Sequence, residues 1–413
     1  MHHAKHKKGR YLFIALVLTI LIPMFPVIGQ TYSFDYTPEN YDFSFYEAAE
    51  STEPLPLVSS RRFMVLPRKV KNIIYLVGDG MSYGQVAATR YQVLGSEGKL
   101  HFERFPVTAN VYTHSANYLV TDSAAASTAL ATGFKTNSGM VGMTPEEEKV
   151  KSIMIAAQEQ GKSTGLVATA TVTHATPAGF AAHVPSRGQE ADIAVDYYNY
   201  GIDVIFGGGT AHFFPASHEL GSRSDERNLK QDFVDAGYQV ALNRDELYEI
   251  DGKKALGLFS RGGLVEAEGE PTLAEITQKA IELLSQNKDG FFLHVEGSQI
   301  DWAAHAHDHE RMYNETLHFD MAVKKAVDFA KEDGNTLVIV TADHETGGLT
   351  LLYTTPDEEL NLSWSTGGHS GVPVPLYAYG PYAEKFTGTL HLTDIPEIMA
   401  DILNINDFPK VLE

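Results

Sequence analysis

Cysteine is absent from all 413 residues. No disulfide can brace the fold, and any metal must be met by imidazole, carboxylate or hydroxyl groups. Basic side chains are scarce beside acids: 32 Lys and Arg against 53 Asp and Glu give a formal charge of −21. Nucleic-acid affinity rests on Lys and Arg neutralising phosphates, so no nucleic-acid-binding surface is expected. Internal repeats and low-complexity blocks are missing too, and with 43% hydrophobic and 21% charged residues the chain has an ordinary globular composition.

What is present begins with a distinctive head. Lys5, Lys7, Lys8 and Arg10 precede the apolar run Tyr11–Ile22, and Pro23, Pro26 and Gly29 close it. That pattern describes a secretory signal peptide over residues 1–29, shorter than the ~20 apolar residues of a spanning helix. It places the mature chain in the periplasm or outside the cell, with no membrane span. Removing its four positive charges takes the formal charge from −21 to −25. Residues 30–66 read as an N-terminal arm or linker, with Pro38, Pro54 and Pro56 and no period. Their aromatics, among them Phe43, Phe45 and Tyr46, suggest packing on a neighbour or a partner subunit. A catalytic domain is expected over 67–413.

From Val70 onward short apolar runs alternate with helical patterns. The strands expected are Asn72–Val77, Gly165–Ala168, Val204–Phe206, Phe291–Glu296, Thr336–Thr341 and Leu376–Tyr379, with helices at 82–94, 152–160, 272–286, 309–332 and 394–403. Continuous apolar strands between amphipathic helices predict an α/β three-layer sandwich, a mostly parallel central sheet with helices on both faces. Such sheets bind ligands outside the carboxyl ends of their strands.

The acids fall at those ends. One strand runs into Asp79, a second into Glu296 and a third into Asp343-His344. A lone Asp after a strand is usually a turn or a cap. Three acids on one rim repel strongly unless cations neutralise them, so metal is the economical explanation. After Glu296, Asp301 and His305 fall at i and i+4, on one helix face; His307 and His309 continue the run toward solvent or stand behind the ligands. Such a pair also arises as a plain surface contact. In Thr121-Asp122-Ser123-Ala124-Ala125, Asp122 and Ser123 sit where a helix would begin. A serine there feels the positive end of the helix dipole, though by itself it reads equally as a helix cap. Thr176, before Pro177, is a hydroxyl ligand or a cap, and Arg187 is the best candidate for a bidentate clamp on phosphate. Gly161-Lys162-Ser163 looks like the end of a P-loop, but Ala156 stands where the first glycine belongs. Gly207-Gly208-Gly209 lacks dinucleotide spacing, and Gly368-His369-Ser370-Gly371 is one residue short of a serine-hydrolase elbow.

Together these segments resemble the alkaline phosphatase family. The matching stretches are Asn72–Met81, Thr121–Gly139, His174–Arg187, Glu296–His305, Thr341–Gly347 and His369–Pro381, in the family's order. The resemblance implies hydrolysis of a broad range of phosphate monoesters through a phosphoserine at Ser123, with Arg187 on the phosphoryl oxygens. It implies two Zn2+ and one Mg2+ per subunit. The first zinc falls to Asp301, His305 and His369, the second to Asp79, Asp343, His344 and Ser123, and the magnesium to Asp79, Thr176 and Glu296. It also implies a homodimer. The best-studied bacterial pattern has Asp and Lys where this chain has His174 and Trp302. Trp302 supplies no cation near the phosphate, and His174 makes the third metal's identity an open question, since imidazole suits zinc or cobalt better than magnesium. The segment from Gly348 to His369 is too short for a large inserted lid. A diesterase or sulfatase on the same scaffold is the nearest rival, and a phosphate- or metal-binding protein without turnover is the rival of another class.

Overall fold

Seven consecutive buried residues, Asn72–Gly78, form strand β1 near the middle of a ten-stranded sheet. A strand covered on both faces has no polar side to show, hence the apolar run Ile73–Val77 that follows Asn72. The computed structural model describes residues 41–58, 61–62, 66–67, 69–356 and 358–412. The signal-peptide reading of residues 1–29 and the first part of the arm lie outside the described residues.

The remaining strands of the sheet are β2 (Val107–Tyr112), β3 (Ser163–Thr171), β4 (Val204–Gly208), β5 (Gln239–Ala241), β6 (Ala255–Leu258), β7 (Phe291–Gly297), β8 (Thr336–Thr341), β9 (Val374–Tyr379) and β10 (Gly388–His391). Their order is β10-β2-β9-β8-β1-β7-β3-β4-β6-β5. Only β9 runs against its neighbours, β8 and β2; every other pairing is parallel. Helices α1 (Tyr83–Leu94), α5 (Leu273–Leu284), α6 (Gln299–His305) and α7 (His309–Asp333) form one outer layer. Helices α2 (Ser123–Thr132), α3 (Ile153–Glu159), α4 (Ala175–Ala181) and α8 (Asp394–Leu403) form the other. The expected three-layer sandwich is thus the observed one. Apolar alternation did not disclose β2, β5, β6 and β10. β2 has every second residue exposed, and β5 has only three residues, so neither offers a continuous apolar run.

The described part of the arm packs on this chain's own α7. Phe45 stacks on His318 with ring centroids 3.9 Å apart, and the Tyr46 hydroxyl donates to Asp320 at 2.6 Å. Between Gly348 and His369 the chain forms a small hairpin of Leu349–Leu351 with Leu362–Trp364. Among the described residues no helix is long and apolar enough to cross a membrane.

Candidate active site

The carboxyl ends of β1, β7 and β8 are adjacent because those strands pair side by side. Asp79 follows β1, Glu296 sits at the end of β7, and Asp343 follows β8; all three are fully buried. The chain leaves β1 through Gly80, whose φ is +72° and whose absent Cβ would lie 2.9 Å from the Cα of Asp301. Glycine alone fits a turn that is both left-handed and pressed against the backbone of α6.

Ser123 is the first residue of α2 rather than its cap. Asp122 is the cap, its side chain accepting from the Ala125 amide at 3.1 Å. That division settles the ambiguity left by the sequence: the cap is already supplied, and the Ser123 hydroxyl points elsewhere, 3.2 Å from Nε2 of His344. Thr176 likewise lies inside α4, with His174 at the cap position, and its hydroxyl is 3.5 Å from Oδ2 of Asp79. Helices α2 and α4 approach closely at Gly179, where a Cβ would collide with Ser127. That approach carries Ser123 and Thr176 to the same rim.

Three groups of potential ligand atoms result. Nε2 of His305 lies 3.2 Å from Nε2 of His369 and 3.3 Å from Oδ1 of Asp301, and His369 is 3.6 Å from that oxygen. Asp79, Asp343 and His344 form a second group, with His344 Nε2 at 3.5 and 3.1 Å from the two carboxylates. Asp79 and Glu296 converge with His174 in a third. Backbone carbonyls orient the outer imidazoles: Gly367 takes Nδ1 of His305 and Thr121 takes Nδ1 of His369, both at 2.8 Å. Their Nε2 atoms are thereby turned into the site. His305 is about a third exposed, whereas Asp79, Asp343 and His344 are sealed, so the first group forms the mouth and the second its floor.

The carboxylates are unsatisfied. Oδ1 of Asp79, both oxygens of Glu296 and Oδ2 of Asp343 are buried without a hydrogen-bond partner. Burial, with the charges of Asp343, Asp301 and Glu296, pushes Asp79 well above the usual carboxylate range. Burial and then Asp343 lift Glu296 to about 7. Burial would also raise Asp343, but the charge of the adjacent His344, the Gly80 amide and His369 bring it to about 2. Burial and the neighbouring His344 lower His369 to about 4. Acids, orphaned oxygens and imidazoles in one buried space are the donor set that divalent cations fit.

Arg187 reaches the same rim, donating to Oδ2 of Asp122 at 3.2 Å and to Nε2 of His174 at 2.9 Å. Burial and Arg187 depress His174 to about 4, so its ring is neutral. Trp302 meets His174 edge-on, ring centroids 6.0 Å apart. His307 is exposed, bonded to the Thr366 carbonyl at 2.8 Å and stacked on Trp364, while His309 is half-buried beside Glu310. Sequence reasoning had not assigned Asp122 a role as holder of Arg187, nor Thr346, whose hydroxyl donates to Asp301. The adjacency of Asp122 to Ser123 was a signal for the first; nothing marked the second.

The family model for alkaline phosphatase matches residues 70–359. The chain belongs to the alkaline phosphatase family. Alkaline phosphatase 4 of Bacillus subtilis (strain 168) is 36% identical over 81% of this chain and 89% of its own. Alkaline phosphatase from the Antarctic bacterium TAB5 superposes with a TM-score of 0.75 at 34% identity, covering 82% of this chain and 99% of that one. A TAB5 variant with a histidine changed to aspartate, described with Mg bound in its M3 site, gives a TM-score of 0.74 at 33% identity, with the same 82% and 99% coverage. As a member of this family the chain is a metal-binding phosphatase that hydrolyses phosphate monoesters.

Proposed function

We propose that this alkaline phosphatase works through a phosphoserine at Ser123, between two zinc sites and beside a third cation. The observation that carries the reading is the set of buried, partnerless oxygens on Asp79, Glu296 and Asp343 next to a serine at the head of α2. Asp301, His305 and His369 would hold the first zinc, and Asp79, Asp343, His344 and Ser123 the second. Asp79, Thr176 and Glu296 would hold magnesium, as the magnesium-bound relative suggests. His174, grouped with Asp79 and Glu296, tilts that third position toward a metal that accepts imidazole. When bound, the cations neutralise the carboxylates, favour the ionised serine and a nucleophilic water, and balance charge on the phosphoryl oxygens.

The chain's own residues do the rest. Ser123 Oγ attacks phosphorus at the dipole-positive start of α2 while the ester P–O bond breaks, and the departing alcohol takes up a proton. Arg187, its guanidinium steered by Asp122 and His174, turns its remaining N–H groups to the phosphoryl oxygens. Water then attacks phosphorus from the vacated side, the P–Oγ bond breaks, and Ser123 regains its proton as phosphate leaves. Two in-line displacements give net retention at phosphorus. The partial exposure of His305 at the mouth supports a broad range of leaving alcohols.

The test pairs metal analysis with turnover. Purified protein should contain zinc and magnesium, lose aryl phosphate hydrolysis on chelation and regain it with zinc. Ser123→Ala should keep its metal, lose turnover and show no phosphorylated residue 123 after acid quenching. Undiminished turnover in that variant would overturn the covalent route. The basic and apolar N-terminal sequence supports export, and the family resemblance supports a homodimer; cell fractionation and sedimentation test these.

A further inference from the structure

At the opposite end of the sheet, where β1, β3 and β7 begin, lies a cavity of about 670 Å3. Lys69, Lys71, Lys162 and Lys288 line it, and Asp289 is the one carboxylate among its lining residues. In a chain with a formal charge of −21, four lysines converging on one hollow are a strong local reversal of sign. Lys162 belongs to the run that resembled a P-loop end. It precedes β3 rather than following a strand, and its ammonium donates to the carbonyls of Lys71 at 2.7 Å and Asp289 at 2.9 Å. It is 8% exposed, and burial together with the charges of Lys69 and Lys71 lowers it to about 8. Among the described residues no carboxylate lies within 4.0 Å of Lys69, Lys71 or Lys288. A hollow whose four lysines outnumber its one carboxylate lowers its energy by taking an anion.

We propose that this cavity is a second anion site, remote from the catalytic rim, that takes a small polyvalent phosphate anion. Its size falls in the range of small-molecule sites, about 300–1,000 Å3, which favours a compact ligand over a polymer. Several lysines around one space act as separate point charges, which suits several phosphate groups better than one planar carboxylate. The strand rise puts it on the order of 25 Å from Asp79, so a ligand here does not occupy the catalytic site.

Inorganic tripolyphosphate is the probe, measured by equilibrium dialysis against metal-loaded Ser123→Ala protein so that it is not consumed. Adding Lys69→Gln and Lys288→Gln, both at exposed positions, should remove one class of binding site or weaken it by about tenfold, as loss of two charge-assisted contacts implies. The same two changes in the otherwise native enzyme should leave aryl phosphate kcat/KM within about twofold, since neither touches the catalytic rim. A control with Lys253→Gln and Lys385→Gln removes equal charge elsewhere and should bind like the parent. Identical isotherms for the cavity variant and its parent would overturn the proposal, as would equal weakening in the control. Lysine-dependent binding to phosphatidylglycerol vesicles without a tripolyphosphate site would overturn it in favour of a membrane surface.

Discussion

Asp320 on α7 and Asp79 beyond β1 are both fully buried aspartates, yet their surroundings differ in kind. Asp320 accepts hydrogen bonds from the His101 amide at 2.8 Å, the Phe102 amide at 3.2 Å and the Tyr46 hydroxyl at 2.6 Å. Asp79 stands among Glu296, Asp343 and Asp301 with Oδ1 unpartnered. Burial therefore does not distinguish a structural carboxylate from a functional one; the count of donors does. A carboxylate supplied with amides and a hydroxyl ties segments together, here the arm, the 101–102 turn and α7. One left among other carboxylates has the surroundings that a cation would neutralise.

The contrast breaks most sharply under substitution. Asp79→Asn should cut kcat/KM by on the order of 1,000-fold or more, because in the proposed mechanism several kcal/mol of transition-state charge stabilisation depend on the cations assigned to it. Asp320→Ala should instead leave kcat per folded molecule unchanged while destabilising the fold by about 3 kcal/mol, since three donors lose their acceptor. Steady-state kinetics and urea unfolding on both variants check this. If Asp320→Ala lost activity at full stability, or Asp79→Asn lost only stability, the division would fail.

Metal removal sharpens the same point with a smaller effect. Chelation should lower the melting temperature by several degrees, at roughly 1–2 °C per kcal/mol in a domain of this size. Glu296→Gln should then reverse sign with metal state. In loaded protein it removes a proposed ligand and lowers melting, whereas in metal-free protein above pH 7, where Glu296 is ionised, it removes one of several crowded acids and raises it. Calorimetry with and without chelator decides; a lower melting temperature in both states would show that the acids repel less than their geometry demands.

Much of this site was legible in the sequence because its chemistry is anchored to strand ends. Asp79, Glu296 and Asp343 each follow a run of apolar residues, and a parallel sheet must bring such ends to one edge. Asp301 and His305 were legible for a similar reason, their spacing being fixed by the helix. What stayed hidden depends on contacts far apart in sequence. Nothing near Asp320 announces that Tyr46, 274 positions earlier, will reach it. The aromatics of the arm signalled packing without naming α7 as the surface. The lysines of the remote cavity come from segments around 69–71, 162 and 288 that are neighbours only because β1, β3 and β7 begin together.

The smallest effect tests the Asp320 side through pH. Burial raises the Asp320 pKa, and the Tyr46 hydrogen bond is one of the groups that hold it down by favouring the ionised form. A raised folded-state pKa means that the native protein binds more protons than the unfolded chain above the unfolded value of about 3.9. The contribution of this carboxyl is therefore fully present at low pH and is lost as pH rises through the folded pKa. Tyr46→Phe removes one donor to the ionised form and lifts that pKa further, so the loss begins from a worse position once Asp320 is charged. The substitution should cost about 1 kcal/mol at pH 7 and less at pH 4, because the raised pKa leaves more of the carboxyl neutral as pH falls and the neutral form depends less on the donor. Urea unfolding at the two pH values measures the difference. A cost equal at both, or larger at pH 4, would mean that Tyr46 serves Asp320 by packing alone and that its hydroxyl is not among the bonds that let a buried charge persist without a cation.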